Sequence, residues 1–223
     1  MPEIINRPDV NMAEDWMVLV FLFTLVALAY MRRVHPARIS RLWNSVWNIR
    51  TMRQAIREEP NTPRANLLFN MSFYLQAALV TYCAIKFTGR TWFSMHGVLF
   101  YLILVASFFG IYLIKRIGIR LVKLVADGDY GLGEYEYSVF LINRMLGILM
   151  LPLSLFVVYA PISFLSFLIY STAGVVLMML LYRLMRSLMT ALETGVTPFY
   201  ILFYICTLEI LPTAIGLRLV LGF

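Results

Sequence analysis

Charged residues make up only 14% of this 223-residue sequence, where soluble domains carry roughly a quarter. A water-facing surface of ordinary size cannot be built from so few. Carboxylates are the scarcest, 12 Asp and Glu against 19 Lys and Arg, leaving a net charge of +7. Histidine is limited to His35 and His96, which fall at opposite ends of apolar segments and so cannot jointly ligate a haem or a metal. The two cysteines, Cys83 and Cys206, both lie within apolar runs. There they read as small packing residues rather than a disulfide, and the redox compartment cannot be taken from them. Serine elbows, paired aspartates, phosphate loops and aspartate-rich lipid-phosphate motifs are all missing. No catalytic residue, cofactor or metal is therefore expected. Many membrane transferases carry little signature, so a transferase stays open as a third reading.

What is present is apolar sequence, 61% of the chain. It falls into six runs of near membrane-crossing length, about 17–25 residues each. The spans are predicted at about 16–31, 64–87, 92–114, 135–160, 164–182 and 199–221. The expected fold is all-α, a single transmembrane domain over 1–223 with a bundle of six spanning helices. Trp16 and Tyr30 would anchor the first span at the two interfaces. The third should run on as helix past the membrane, because Lys115, Arg116, Arg120 and Lys123 alternate with apolar residues. Ala160-Pro161 allows only a tight connection, making spans four and five antiparallel neighbours.

The stretch 36–59 differs in kind. Ile39, Leu42, Trp43, Val46 and Trp47 recur at helical spacing while Arg38, Arg41, Asn44 and Ser45 fall elsewhere, as in an amphipathic helix lying in the membrane surface. Pro36 suits its first turn and Pro60 stops it. Arg50, Arg53 and Arg57 then project towards the side of Ile39 and Trp43, so either the helix bends near Asn48 or these arginines reach lipid headgroups or another subunit. The loop from Asp127 to Glu134 superficially looks like a calcium loop but lacks its twelve-residue ligand register.

Cations set the orientation. Eight lie in 32–64, four in 115–123 and two at Arg183 and Arg186, while Arg7, Lys86, Arg90 and Arg218 fall on the other side. The positive-inside rule then predicts a cytoplasmic interfacial helix and both termini outside the cytoplasm. The basic charge follows the loops and comes with no nucleic-acid motif, so nucleic acid is not an expected partner. The first sixteen residues carry Glu3, Asp9, Glu14 and Asp15 against Arg7, the wrong charge for a cleavable signal.

Polar residues inside the spans are the candidates for function. An ionised group in hydrocarbon costs several kcal/mol or more unless paired. Glu209 in the sixth span asks for a cation, and Arg144 in the fourth lies comparably deep, about 10 Å in against about 16 Å. Asn143, Asn70 and Gln76 are expected near that pair as one inner polar cluster. Asn66 shares a face with Asn70. Pro152 and Pro212 each remove an amide and displace a carbonyl, so kinks are expected beside both charged residues.

The marks Arg32-Arg33 with Pro36, Asn48-Ile-Arg50, Arg57-Glu58-Glu59, Asn143-Arg144-Met-Leu-Gly147 with Leu151-Pro152, and Leu208-Glu209-Ile-Leu-Pro212 span nearly the whole chain. With them the sequence resembles an uncharacterised family of multi-pass inner-membrane proteins from Bacteroidetes, a domain of unknown function of about this length. The resemblance implies location and fold and assigns no catalytic residue.

Three readings follow. The first is a non-catalytic subunit or scaffold of an envelope complex, with membrane lipids and a protein partner. The second is a small transporter or lipid-handling protein using the Arg144 and Glu209 cluster, and the third a membrane transferase. A structural Arg144–Glu209 pair has a measurable consequence. Neutralising either residue alone strands a buried charge at a cost of about 3–5 kcal/mol, so R144Q or E209Q should lower abundance sharply. The double variant should restore it; a double variant as poor as the singles would refute the pairing.

Overall fold

A computed structural model of the chain describes residues 13–34, 63–88, 97–125 and 132–193, together with residues 36, 40, 43–45, 48, 51 and 54. Five helices account for nearly all of them: α1 (Asp15–Val34), α2 (Pro63–Thr88), α3 (Gly97–Val125), α4 (Leu132–Tyr159) and α5 (Ile162–Glu193). No strand occurs among the described residues. All five are long and apolar enough to cross a bilayer, and helices suit hydrocarbon because each satisfies its own backbone amides and carbonyls. The predicted sixth span, with Glu209 and Pro212, lies outside the described residues, as do Trp47, Arg50, Arg53 and Arg57.

Local signals explain the helix ends. The backbone carbonyl of Glu14 accepts from the Met17 amide at 2.9 Å and opens α1, with Asp15 in the first turn and Arg32 and Arg33 in the last, each at the dipole end that favours its charge. Ala160 and Pro161 alone link α4 to α5. The Pro161 carbonyl accepts from the Phe164 amide at 3.0 Å and starts the next helix. α3 runs unbroken through Lys115 and Arg116 to Val125. α4 likewise passes through Pro152, whose side chain is exposed.

Successive helices alternate in direction, and α2 and α4 form the centre. α2 packs on α1, α3 and α4, while α5 packs on α4. At one end, Met17, Phe21, Leu79, Tyr82, Tyr101, Val157 and Leu165 make one buried cluster. At the other, Met31, Phe69, Leu141 and Met145 make a second. The first end gathers the start of α1 and the end of α2; the second gathers the end of α1 and the start of α2. Here they are termed the Glu14 end and the Arg186 end. The outward faces of α1, α3 and α5 carry exposed Leu22, Ile103, Phe167 and Met178, as expected where lipid tails replace water.

The central pair meets at Gly147. A Cβ added there would lie 2.9 Å from the Phe73 Cα and 3.0 Å from its amide nitrogen, and backbone cannot swing aside as a side-chain tip can. Small residues permit this close approach of helices in lipid. Replacing Gly147 with Leu should force α2 and α4 apart and cost at least about 1–3 kcal/mol, the usual penalty for overpacking. The comparison is Gly174→Ala, where an added Cβ meets nothing within 4 Å and helix propensity favours alanine by up to about 1 kcal/mol. Thermal melting in detergent should fall for the first and hold or rise for the second.

Candidate functional site

Among the described residues, the polar groups that reach between helices fall into three layers along the bundle. The middle layer is uncharged. Thr24 stands about halfway along α1, Gln76 about halfway along α2, and Ser154 on α4; all three are at most 1% exposed. The Gln76 amide donates from Nε2 to Thr24 Oγ1 at 3.1 Å, and its Oε1 accepts from the Ser154 hydroxyl at 2.5 Å. Thr24 in turn donates to the carbonyl of Phe21 or Val20, at 2.9 and 3.0 Å. One glutamine thus joins three helices, and its donor and acceptor ends are oriented by hydroxyls on either side.

The Arg186 end holds the basic layer. Arg144 and Asn143 on α4 and Asn70 on α2 are all buried, at the level where Phe69 packs with Leu141 and Met145. The Asn143 Oδ1 accepts from Arg183 Nη1 on α5 at 2.9 Å. Arg186 is also buried, and its Nη2 donates to the backbone carbonyl of Ser45 at 2.7 Å. Lys115 on α3 is buried as well.

Depth along the chain therefore groups Asn70, Asn143 and Arg144 in one layer. Gln76 stands apart from them: six residues beyond Asn70, it sits nearly two turns further along α2 and bonds Thr24 and Ser154 instead. Arg183 and Arg186, expected at the inner end of the fifth span, belong to the same end as Arg144. Their signal is the four-residue spacing from Met179 and Tyr182, which pack into the core. Trp43 is helical and 54% exposed. Pro152 lies on the outside of α4, away from these groups.

A third layer, at the Glu14 end, escapes sequence reading. The Glu14 carboxylate accepts from Lys86 Nζ at 2.7 Å, from the Tyr82 hydroxyl at 2.6 Å and, on its other oxygen, from Trp16 Nε1 at 2.6 Å. Trp16 packs on Tyr101 as a tilted pair with centroids 4.7 Å apart, and the Tyr101 hydroxyl donates to the Leu75 carbonyl at 3.2 Å. A Cβ on Gly97 would lie 2.5 Å from Glu14 Oε2 and 2.6 Å from the Tyr82 hydroxyl, so a larger residue there would push these two side-chain tips aside. The carboxylate thus rests against the first residue of α3, the positive end of that helix dipole. The legible signal was two opposite charges flanking spans one and two on the same side.

No group of three or more His, Cys, Asp or Glu able to hold a metal occurs among the described residues. An apolar groove of about 500 Å³ lies at the α4–α5 turn, lined by Phe156, Tyr159, Pro161, Phe164 and Phe167 among others. It brings no convergent polar groups with it.

Five apolar helices of spanning length, with buried polar groups joined across helices, define a membrane-embedded α-helical bundle. Within that class the sequence matches the family model described as domain of unknown function DUF4271 over residues 17–220, and the chain belongs to that family. No curated protein and no solved structure matches it.

The Glu14 layer makes a pH prediction. Partial burial raises the carboxyl's pKa, but hydrogen bonds from Lys86, Tyr82 and Trp16, with the Lys86 charge, outweigh it and hold the group below its ordinary value of 4.5. A depressed carboxyl stabilises the fold above its unfolded pKa and loses that contribution as pH falls through the folded one. The melting temperature should therefore decline below about pH 4.5. Glu14→Gln should lower stability at pH 7 by on the order of 1 kcal/mol or less, because the pair is part-exposed, and should flatten the acid decline. An unchanged pH profile in E14Q would rule out the assignment.

Proposed function

We propose that the protein is a multi-pass component of a bacterial inner membrane, with both termini outside the cytoplasm, acting as a non-catalytic subunit or scaffold of an envelope complex. The observation that carries this reading is the Thr24–Gln76–Ser154 chain. Its polar atoms bond one another across three helices, which fixes helix register, and all three side chains are enclosed in protein. Interhelical bonds of this kind average about 0.6 kcal/mol in lipid, enough to favour one packing over its neighbours. The uneven distribution of cations supports the orientation, and the apolar outward faces of α3 and α5 offer surface to lipids and to partner helices alike.

A second reading, a small transporter or lipid-handling protein, draws on the basic layer. Asn70, Asn143, Arg144, Arg183 and Arg186 at one end of the bundle would supply the protein side of an anion path, with Glu209 as the counter-charge of Arg144.

Gentle extraction of the tagged protein at native abundance separates the two. A scaffold should elute with a partner in fixed stoichiometry, in a particle clearly larger than the 25.8 kDa chain with its detergent. Elution solely as a monomer would overturn that reading.

A further inference from the structure

We infer that the surface segment around Trp43 docks on an anionic phospholipid leaflet at the Arg186 end of the bundle, and that Arg186 is the residue that sets its orientation. The inference rests on the membrane placement proposed above.

The first ground is an inverted face. Residues 43–45 are helical, and the Asn48 amide donates to the Asn44 carbonyl at 3.1 Å. The Thr51 hydroxyl closes on the Asn48 carbonyl at 2.8 Å. At 100° per residue, Trp43 and Ser45 lie on nearly opposite sides. The serine is 1% exposed and the tryptophan 54%. A helix packed on protein in water would turn the indole inward and the serine outward. Here the larger apolar group faces away from the bundle, an arrangement suited to an outer medium that itself accepts an indole. The headgroup layer does so, taking an amphipathic ring at its boundary with the acyl chains.

The second ground is charge. Between residues 32 and 64 the sequence carries eight arginines and, as carboxylates, Glu58 and Glu59. Two of these, Arg32 and Arg33, are exposed at the Arg186 end of the bundle, together with Arg116 and Arg120 of α3. Exposed Ile114 and Ile117 interleave with the last two on α3, marking the level where hydrocarbon gives way to headgroups. A cationic collar at that level complements anionic lipid.

Arg186 connects the two. Its guanidinium is buried and donates to the Ser45 carbonyl at 2.7 Å. That bond ties the inward side of the segment to the end of α5, and so turns Trp43 outward. Binding backbone, it fixes where the segment sits without demanding a particular side chain. Arg186 is in this sense a positioning residue.

The test uses the full chain in nanodiscs of phosphatidylcholine, alone or mixed with phosphatidylglycerol, the lipids carrying bromine near the headgroup end of their acyl chains. The Trp43 signal is the fluorescence difference between wild type and Trp43→Phe. The expected result is quenching of that signal, stronger with phosphatidylglycerol and weakened by high salt, and loss of it in Arg186→Gln while Trp16, at the other end of the bundle, stays quenched. Should R186Q not fold, Arg186→Lys, which keeps the charge but not the forked donor, replaces it with the same expected loss. Trp43 shielded from bromine while the other tryptophans are quenched would overturn the inference and point to a protein contact. Equal quenching in both compositions would overturn its anionic specificity. Absence of quenching for every tryptophan would refute the membrane placement, and the inference with it.

Discussion

Hydrocarbon offers no hydrogen bonds, so every polar group carried into a spanning helix has to find its partner within the protein. Helix backbones meet this demand internally; side chains meet it by reaching a neighbouring helix. Gln76 has two amide hydrogens and an acceptor oxygen to place, and Thr24 and Ser154 receive it from opposite sides. Sliding α2 by one turn would move Gln76 about 5 Å and break both bonds. The requirement that these groups stay paired is therefore also a requirement on the relative height of α1, α2 and α4.

That height is set sterically as well. Gly147 lets the α4 backbone rest directly on Phe73 of α2, and Phe73 lies one turn before Gln76. Contact and hydrogen bonds are close neighbours on the same two helices, so each constrains the other. α2 stands at the centre because it carries both, and because its far end brings Tyr82 and Lys86 to Glu14. α3 and α5 are held from one side and leave the opposite side apolar.

The all-α architecture and the five described spans were legible because long apolar runs admit few alternatives in a chain this poor in charge. Height along a span is open to sequence for a related reason: counting residues from its start gives depth directly at 1.5 Å per residue. Rotation about the helix axis is less legible. Gln76 was grouped with Arg144 by approximate height, yet its partners are Thr24 and Ser154, hydroxyls that can also bond their own helix backbone and so leave no trace of a long-range role. The Glu14 cluster was hidden differently. Trp16 reads as an interface anchor and Glu14 as a terminal charge, and only the fold brings Tyr82, Lys86 and Gly97 to the same carboxylate.

The three layers also differ in what can disturb them. The middle one is neutral and fully enclosed, so neither protons nor salt in the ordinary range alter it. The Glu14 layer is part-exposed and tied by a titratable group; the Arg186 layer is basic and reaches out through the Ser45 carbonyl to the surface segment. Changes in the surroundings, whether of acidity at one end or of charge at the other, therefore act on the ends of helices whose middles stay fixed in register. A bundle built this way resists sliding, and among the described residues the groups open to acid or to surface charge stand at its two ends.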